Sequence, residues 1–156
     1  MKYKTKRMKK IIALYGHAEC GKSTTLNILK DKLRQHGESL AAYDHDGEKQ
    51  ELFRYRDILV SVAPGGDNGW VTCNNIKYFK ESGCEIAVSG SRCKGAPAND
   101  LNDFASECGL KVRWFEMPYV EYLPSHVRTI VEIAVADEIL AGIDRAIEKN
   151  MLRYVV

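Results

Sequence analysis

The chain has 156 residues, of which 45% are hydrophobic and 28% charged, with a net charge of +2. That length supports one domain with a real core, and the composition is ordinary for a soluble globular protein. No stretch approaches a membrane span, and the five cysteines, odd in number and without a C-x-x-C pair, exclude a zinc site or disulfide framework in favour of reduced thiols in a cytoplasmic protein.

The charge is uneven. The first ten residues carry six basic side chains and no acid, leaving 17 basic against 21 acidic residues in the remainder. Residues 1–10 therefore read as a basic, solvated tail. The apolar segment behind it is too short for a signal peptide. No membrane or nucleic-acid partner is expected.

Taken in order, the chain alternates strand and helix. Lys10 to Tyr15 is a short apolar run that reads as a buried strand. A helix follows from Ser23, with Leu26, Leu29 and Leu33 on one face and Gly37 as its C-cap. Ser39 to Tyr43 reads as a second strand, ending at Asp44-His45-Asp46-Gly47. Residues 48–56 suit a short helix or turn. Asp57 to Val62 is the third strand, and Ala63-Pro64-Gly65-Gly66-Asp67-Asn68-Gly69 is a sharp loop by composition.

A helix then covers about Val71 to Glu81, and Cys84 to Ser89 is the fourth strand. Residues 90–97 form a flexible loop. A helix runs from about Asp100 to Cys108, stopped by Gly109, and Leu110 to Phe115 is the fifth strand. Pro124 and Ser125 open the last helix, with Ser125 as N-cap. Val127, Ile130, Val131, Ala134, Ile139, Leu140, Ile143 and Ile147 mark its core face. This order predicts an α/β protein of three layers, a mainly parallel five-stranded sheet flanked by helices. Ligands in such sheets bind beyond the carboxyl ends of the strands, which directs attention to loops 16–23, 44–47, 63–69 and 89–97.

The first of those loops carries a motif. Gly16-His17-Ala18-Glu19-Cys20-Gly21-Lys22-Ser23 spells G-x-x-x-x-G-K-[ST] between a strand and a helix. Glycines let backbone N–H groups close around a polyphosphate, and the helix N-terminus adds its positive end. The segment resembles the phosphate-binding loop of the P-loop NTPase superfamily, which implies a nucleotide with Mg²⁺. Residues 16–23 and Thr24 would hold the phosphates, with Lys22 at the β- and γ-phosphates and Ser23 on the metal. Residues 11–150 would form one nucleotide-binding domain. The Asn-Lys-x-Asp element that GTPases use for guanine is absent, which favours ATP. Cys20 sits in the loop beside a helix N-terminus, where a thiol pKa is lowered.

The remaining loops supply candidates for phosphoryl transfer. Asp44-His45-Asp46-Gly47 is similar to the acidic cluster after strand two in small-molecule P-loop kinases such as the adenylylsulfate kinases. A carboxylate there orients an acceptor or holds magnesium, although Asp beside Gly is also a common turn former. Asp46 is the stronger catalytic candidate and Asp44 a metal candidate. The family's metal-ordering acid directly after a strand is displaced here to Asp67, a second metal candidate. Arg92, with Lys94, lies where nucleotide-kinase-like members carry arginines that clamp the transferring group. Arg54 and Arg56 are alternative ligands for a phosphorylated acceptor. Trp70 and Trp114 read as core or pocket wall.

Together these features point to a kinase that moves the γ-phosphoryl group of ATP·Mg²⁺ to a small acceptor, a nucleotide or related metabolite. That reading expects a deep second pocket lined by residues 44–56 and 65–70. A nucleotide-dependent switch that hydrolyses slowly and signals to a protein partner is the alternative. The end of strand two resembles the molybdopterin-guanine dinucleotide adaptor, and a homodimer with nucleotide at its interface would favour that alternative. A nucleotide-binding module with little turnover is the third reading.

Overall fold

A computed structural model describes residues 8–17, 21–45, 48–65, 69–92, 95–118 and 120–152. Ten elements follow in order: β1 (Lys10–Tyr15), α1 (Lys22–His36), β2 (Glu38–His45), β3 (Glu48–Tyr55), β4 (Ile58–Ala63), α2 (Gly69–Ser82), β5 (Ile86–Ser91), α3 (Ala96–Glu107), β6 (Val112–Glu116) and α4 (Ser125–Leu152). The sheet has six strands in the order β2-β3-β4-β5-β1-β6. Four neighbouring strands, β4, β5, β1 and β6, run parallel. The other two join antiparallel, β2 to β3 and β3 to β4.

The expected α/β class and its layering hold, but the five-stranded, mainly parallel sheet does not: the sheet is six-stranded and mixed. The extra strand is β3, in residues expected to form a short helix or turn. Its apolar residues in fact alternate. Phe53 and Tyr55 join the core on one face, while Leu52 packs on the other. The charged residues between them obscured that period of two. Arg56 and Asp57 then reverse the chain with φ of 52° and 63°, the left-handed pair that a two-residue hairpin turn requires.

The inward-facing charge in β3 is neutralised rather than solvated. Glu51 is 5% exposed. It accepts hydrogen bonds from Arg34 Nε (2.9 Å), Arg34 Nη2 (2.7 Å) and Ser39 Oγ (2.7 Å). The ammonium of Lys30, itself 3% exposed, lies 3.5 Å away. Burial alone would raise the Glu51 pKa, but the Arg34 and Ser39 hydrogen bonds and the Arg34 and Lys30 charges bring it below the ordinary carboxylate value.

Two cores cover the two faces. Leu26, Leu29 and Leu33 of α1 and Ile139, Ile143 and Ile147 of α4 meet Ile12, Leu14, Val60 and Val88 on one side. Phe79 of α2 and Phe104 of α3 meet Ile11, Ala63 and Ala87 on the other. Ile11 and Ile12 therefore serve opposite layers, as the pleat demands. The ammonium of Lys9, just ahead of β1, pairs with Glu85 at 2.9 Å. No helix among the described residues is long and apolar enough to cross a membrane.

Candidate functional site

All four parallel strands end at one edge of the sheet, and the chain leaves β1 there through Gly16 and His17. Ala18, Glu19 and Cys20 lie outside the described residues. Gly21 enters α1 with φ of +95°, a left-handed conformation that a Cβ would strain. The first turn of α1 carries no acidic residue, and Gly21 makes no side-chain cap. The helix thus presents its N-terminal amides and positive dipole end at the edge where a ligand is expected.

Lys22 is held in place although only 6% exposed. Its ammonium donates to the carbonyl of Gly16 at 3.0 Å and to that of Ser91, the last residue of β5, at 2.9 Å. Thr25 Oγ1 donates to the Gly21 carbonyl at 2.7 Å. The loop is thereby fastened at both ends, and Ser23 and Thr24 are left exposed. His17 is exposed as well.

A cleft of about 500 Å³ opens over this turn. It is lined by Gly21, Lys22, Ser23 and Thr24, by Val120 and Glu121 ahead of α4, and by the start of α4 with Ser125, Arg128, Thr129 and Glu132. Those four share a helix face by their spacing. Arg128 Nε is buried and has no hydrogen-bond partner among the described residues. Glu132 Oε2 lies 2.7 Å from the position that a Cβ on Gly21 would take. Burial pushes the Glu132 carboxyl above its ordinary pKa, against the opposing charge of Arg128.

Neither Arg128 nor Glu132 was expected from the sequence. The predicted core face of this helix ran through Ile130 and Ala134, yet both are exposed, Ile130 at 64%. Burial begins at Val135 and continues through Ala136, Ile139, Ile143 and Ile147. The first two turns of α4 instead turn a polar face to the loop. The spacing of Ser125, Arg128, Thr129 and Glu132 was the available signal, masked by the neighbouring isoleucines.

The other predicted residues are distributed differently. Arg92 is exposed just past β5 and is not among the described residues lining the cleft. Asp44 lies in β2 opposite Lys49, with its side chain outside the description. Asp46, Asp67 and Lys94 lie outside the described residues. Among the described residues no group of three or more His, Cys, Asp or Glu could hold a metal ion. A second cavity, of about 270 Å³, does include Gln50 from the predicted 44–56 segment, but α2 residues such as Asn74 and Tyr78 form its other side.

A buried polar network orders the neighbouring loop after β4. Gln50 Nε2 donates to Asn75 Oδ1 at 2.7 Å. Asn75 Nδ2 donates to the Gly65 carbonyl at 3.0 Å and to Ser89 Oγ at 3.2 Å. Gly90 lets that loop sit on β5, because a Cβ there would fall 2.5 Å from the Pro64 carbonyl oxygen. Ser91, one residue on, holds Lys22. The start of the segment leading to Asp67 is thus anchored next to the lysine.

Compared with protein-family models, with curated proteins and with solved structures, the chain matches none. The site must be read from its own chemistry. A left-handed glycine, a helix N-terminus and two cations, Lys22 and Arg128, line one cleft together with the carboxylates of Glu121 and Glu132. That donor set suits a compact polyanion.

Proposed function

We propose that the cleft binds the polyphosphate of ATP with Mg²⁺ and that the protein is a small phosphotransferase of the P-loop type. The observation that carries the reading is that Lys22, in the first turn of α1, and Arg128, near the start of α4, line the same cleft. Amides of that turn would bind phosphate oxygens. Lys22 would turn from the Gly16 and Ser91 carbonyls to the β- and γ-phosphates, and Arg128 would satisfy its buried Nε on the same charge. Magnesium would supply charge neutralisation, with the exposed Ser23 hydroxyl as one oxygen ligand and Asp67 or Asp44 assigned to the metal shell. Asp46 would accept the proton of the acceptor hydroxyl. Arg92, beside the Ser91 carbonyl that holds Lys22, is assigned to the transferring group. The free thiols of Cys73, Cys84 and Cys108 suit the cytoplasm.

A nucleotide-dependent switch is the second reading. Tyr122, Ile130 and Ile133 are exposed apolar side chains adjacent in sequence to cleft residues, which favours a surface offered to a protein partner.

ADP release from Mg·ATP, measured with and without nucleoside monophosphates and small hydroxylated or sulfated metabolites, tests both. Acceptor-stimulated turnover that Lys22→Ala lowers by at least ~100-fold supports the kinase. Tight binding with slow hydrolysis that no acceptor stimulates rejects it in favour of the switch.

A further inference from the structure

We infer that Glu132 is a built-in competitor for the polyphosphate: its carboxylate stands against Gly21 at the N-terminal turn of α1 and must be displaced when a phosphate ligand enters. The inference rests on the nucleotide reading above and adds a regulatory contact to that site.

Three observations lead there. The N-terminal turn of α1 attracts negative charge, yet its own sequence provides no acidic residue and no side-chain cap. Glu132 Oε2 comes to 2.7 Å from the Cβ position of Gly21, so a carboxylate from another helix stands beside that turn. One turn earlier on the same helix, Arg128 Nε is buried without a hydrogen-bond partner among the described residues. Residues at i and i+4 on a helix are natural ion-pair partners, but here the carboxylate faces the glycine and leaves the Arg128 Nε donor unmet.

That division makes sense as one of two arrangements. Without an anionic ligand, the Glu132 carboxylate lies in the cleft against Gly21. With a polyphosphate on the loop, like-charge repulsion moves Glu132 off Gly21, and the ligand gives Arg128 Nε its acceptor. α4 would then carry one group that resists the ligand and one that recognises it. Its exposed Ile130 and Ile133 lie on the turns that would report the exchange.

The test is calorimetric titration of the full chain with Mg·ATP and with inorganic tripolyphosphate, which lacks the base and ribose. Wild type, E132Q and E132D are compared, with far-ultraviolet circular dichroism as the folding control. E132Q removes the charge at constant shape, and E132D keeps the charge but withdraws it by one methylene. If E132Q does not fold, E132D carries the test. Removal of one partly screened like charge should tighten both ligands roughly tenfold in E132Q, with a smaller gain in E132D. If wild type binds and the folded variants bind no more tightly, the competitor role is overturned while the nucleotide site stands. If neither wild type nor variants bind either ligand, the nucleotide reading fails and this inference with it.

Discussion

Gly21 shows how one position can serve both fold and site. Its φ of +95° is costly for any residue with a Cβ, by about 1–2 kcal/mol, and the Cβ of an alanine would also meet Glu132 Oε2. Gly21→Ala should lower stability by about that amount and abolish tripolyphosphate binding, as denaturant titration and calorimetry would show. A variant that binds normally would remove the glycine face from the site. Glu51 is the contrasting case, a charged residue whose work is structural. Removing its side chain leaves Lys30, 3% exposed, without its counter-charge. Glu51→Ala should therefore cost ~3–5 kcal/mol in urea unfolding, as expected for breaking a buried pair. The pH dependence has a definite sign. The folded pKa of Glu51 is depressed, so its contribution is present above the unfolded carboxylate value and is lost as pH falls through the folded one. The acid limb of the stability profile should be shallower in Glu51→Gln.

At the scale of elements, β3 and the start of α4 are where local pattern and tertiary role part company. β3 reads as polar because its inward carboxylate, Glu51, has partners contributed by α1, and those partners lie 17 and 21 positions away in the chain. No local window contains them. Its alternation of Phe53 and Tyr55 is masked by the charged residues between them, and Asp57 reads as the start of a strand rather than a reversal; only the strands on either side make an extended segment preferable to a helix. The loop after β4 is governed in the same way by Asn75. Asn75→Ala would strand the Gly65 carbonyl and the Gln50 amide, for a cost of about 1–3 kcal/mol. It should also raise the KM for Mg·ATP more than it disturbs the circular dichroism spectrum, since the loop it holds adjoins the lysine. An unchanged KM would mean that the network serves stability alone.

For the whole molecule, the fastening of α4 matters most, because that helix closes the candidate site. Its C-terminal half is buried in the core and also bonded to the hairpin. Tyr55 Oη donates to Asp144 Oδ1 at 2.7 Å, and Arg56 reaches the same oxygen at 3.1 Å. Burial, then the Asp144 hydrogen bond and charge, raise the Tyr55 pKa from its ordinary 10.0 to about 12. A raised pKa means that the folded state retains a proton the unfolded chain releases. The stabilisation is full below pH 10 and disappears as pH rises through about 12. Tyr55→Phe should be less stable near neutrality and lose less stability across that alkaline window. If both proteins decline in parallel, this contact is not what fastens the helix.

The sequence by itself determined the α/β class, the order of the elements apart from β3, and the glycine–lysine loop between β1 and α1. Each depends on near neighbours: an apolar run, a 3.6-residue stripe, a glycine at a turn. Only the tertiary structure decided the mixed sheet, the buried Glu51 cluster, the Asn75 network, and the presence of Arg128 and Glu132 at the loop. Those depend on which distant segments meet. A side chain more than 100 residues from Gly21 enters its site because the crossover to β6 returns α4 to the face that α1 already covers. Local periodicity specifies which face of a helix is apolar, but the packing of the assembled sheet selects what its polar face confronts.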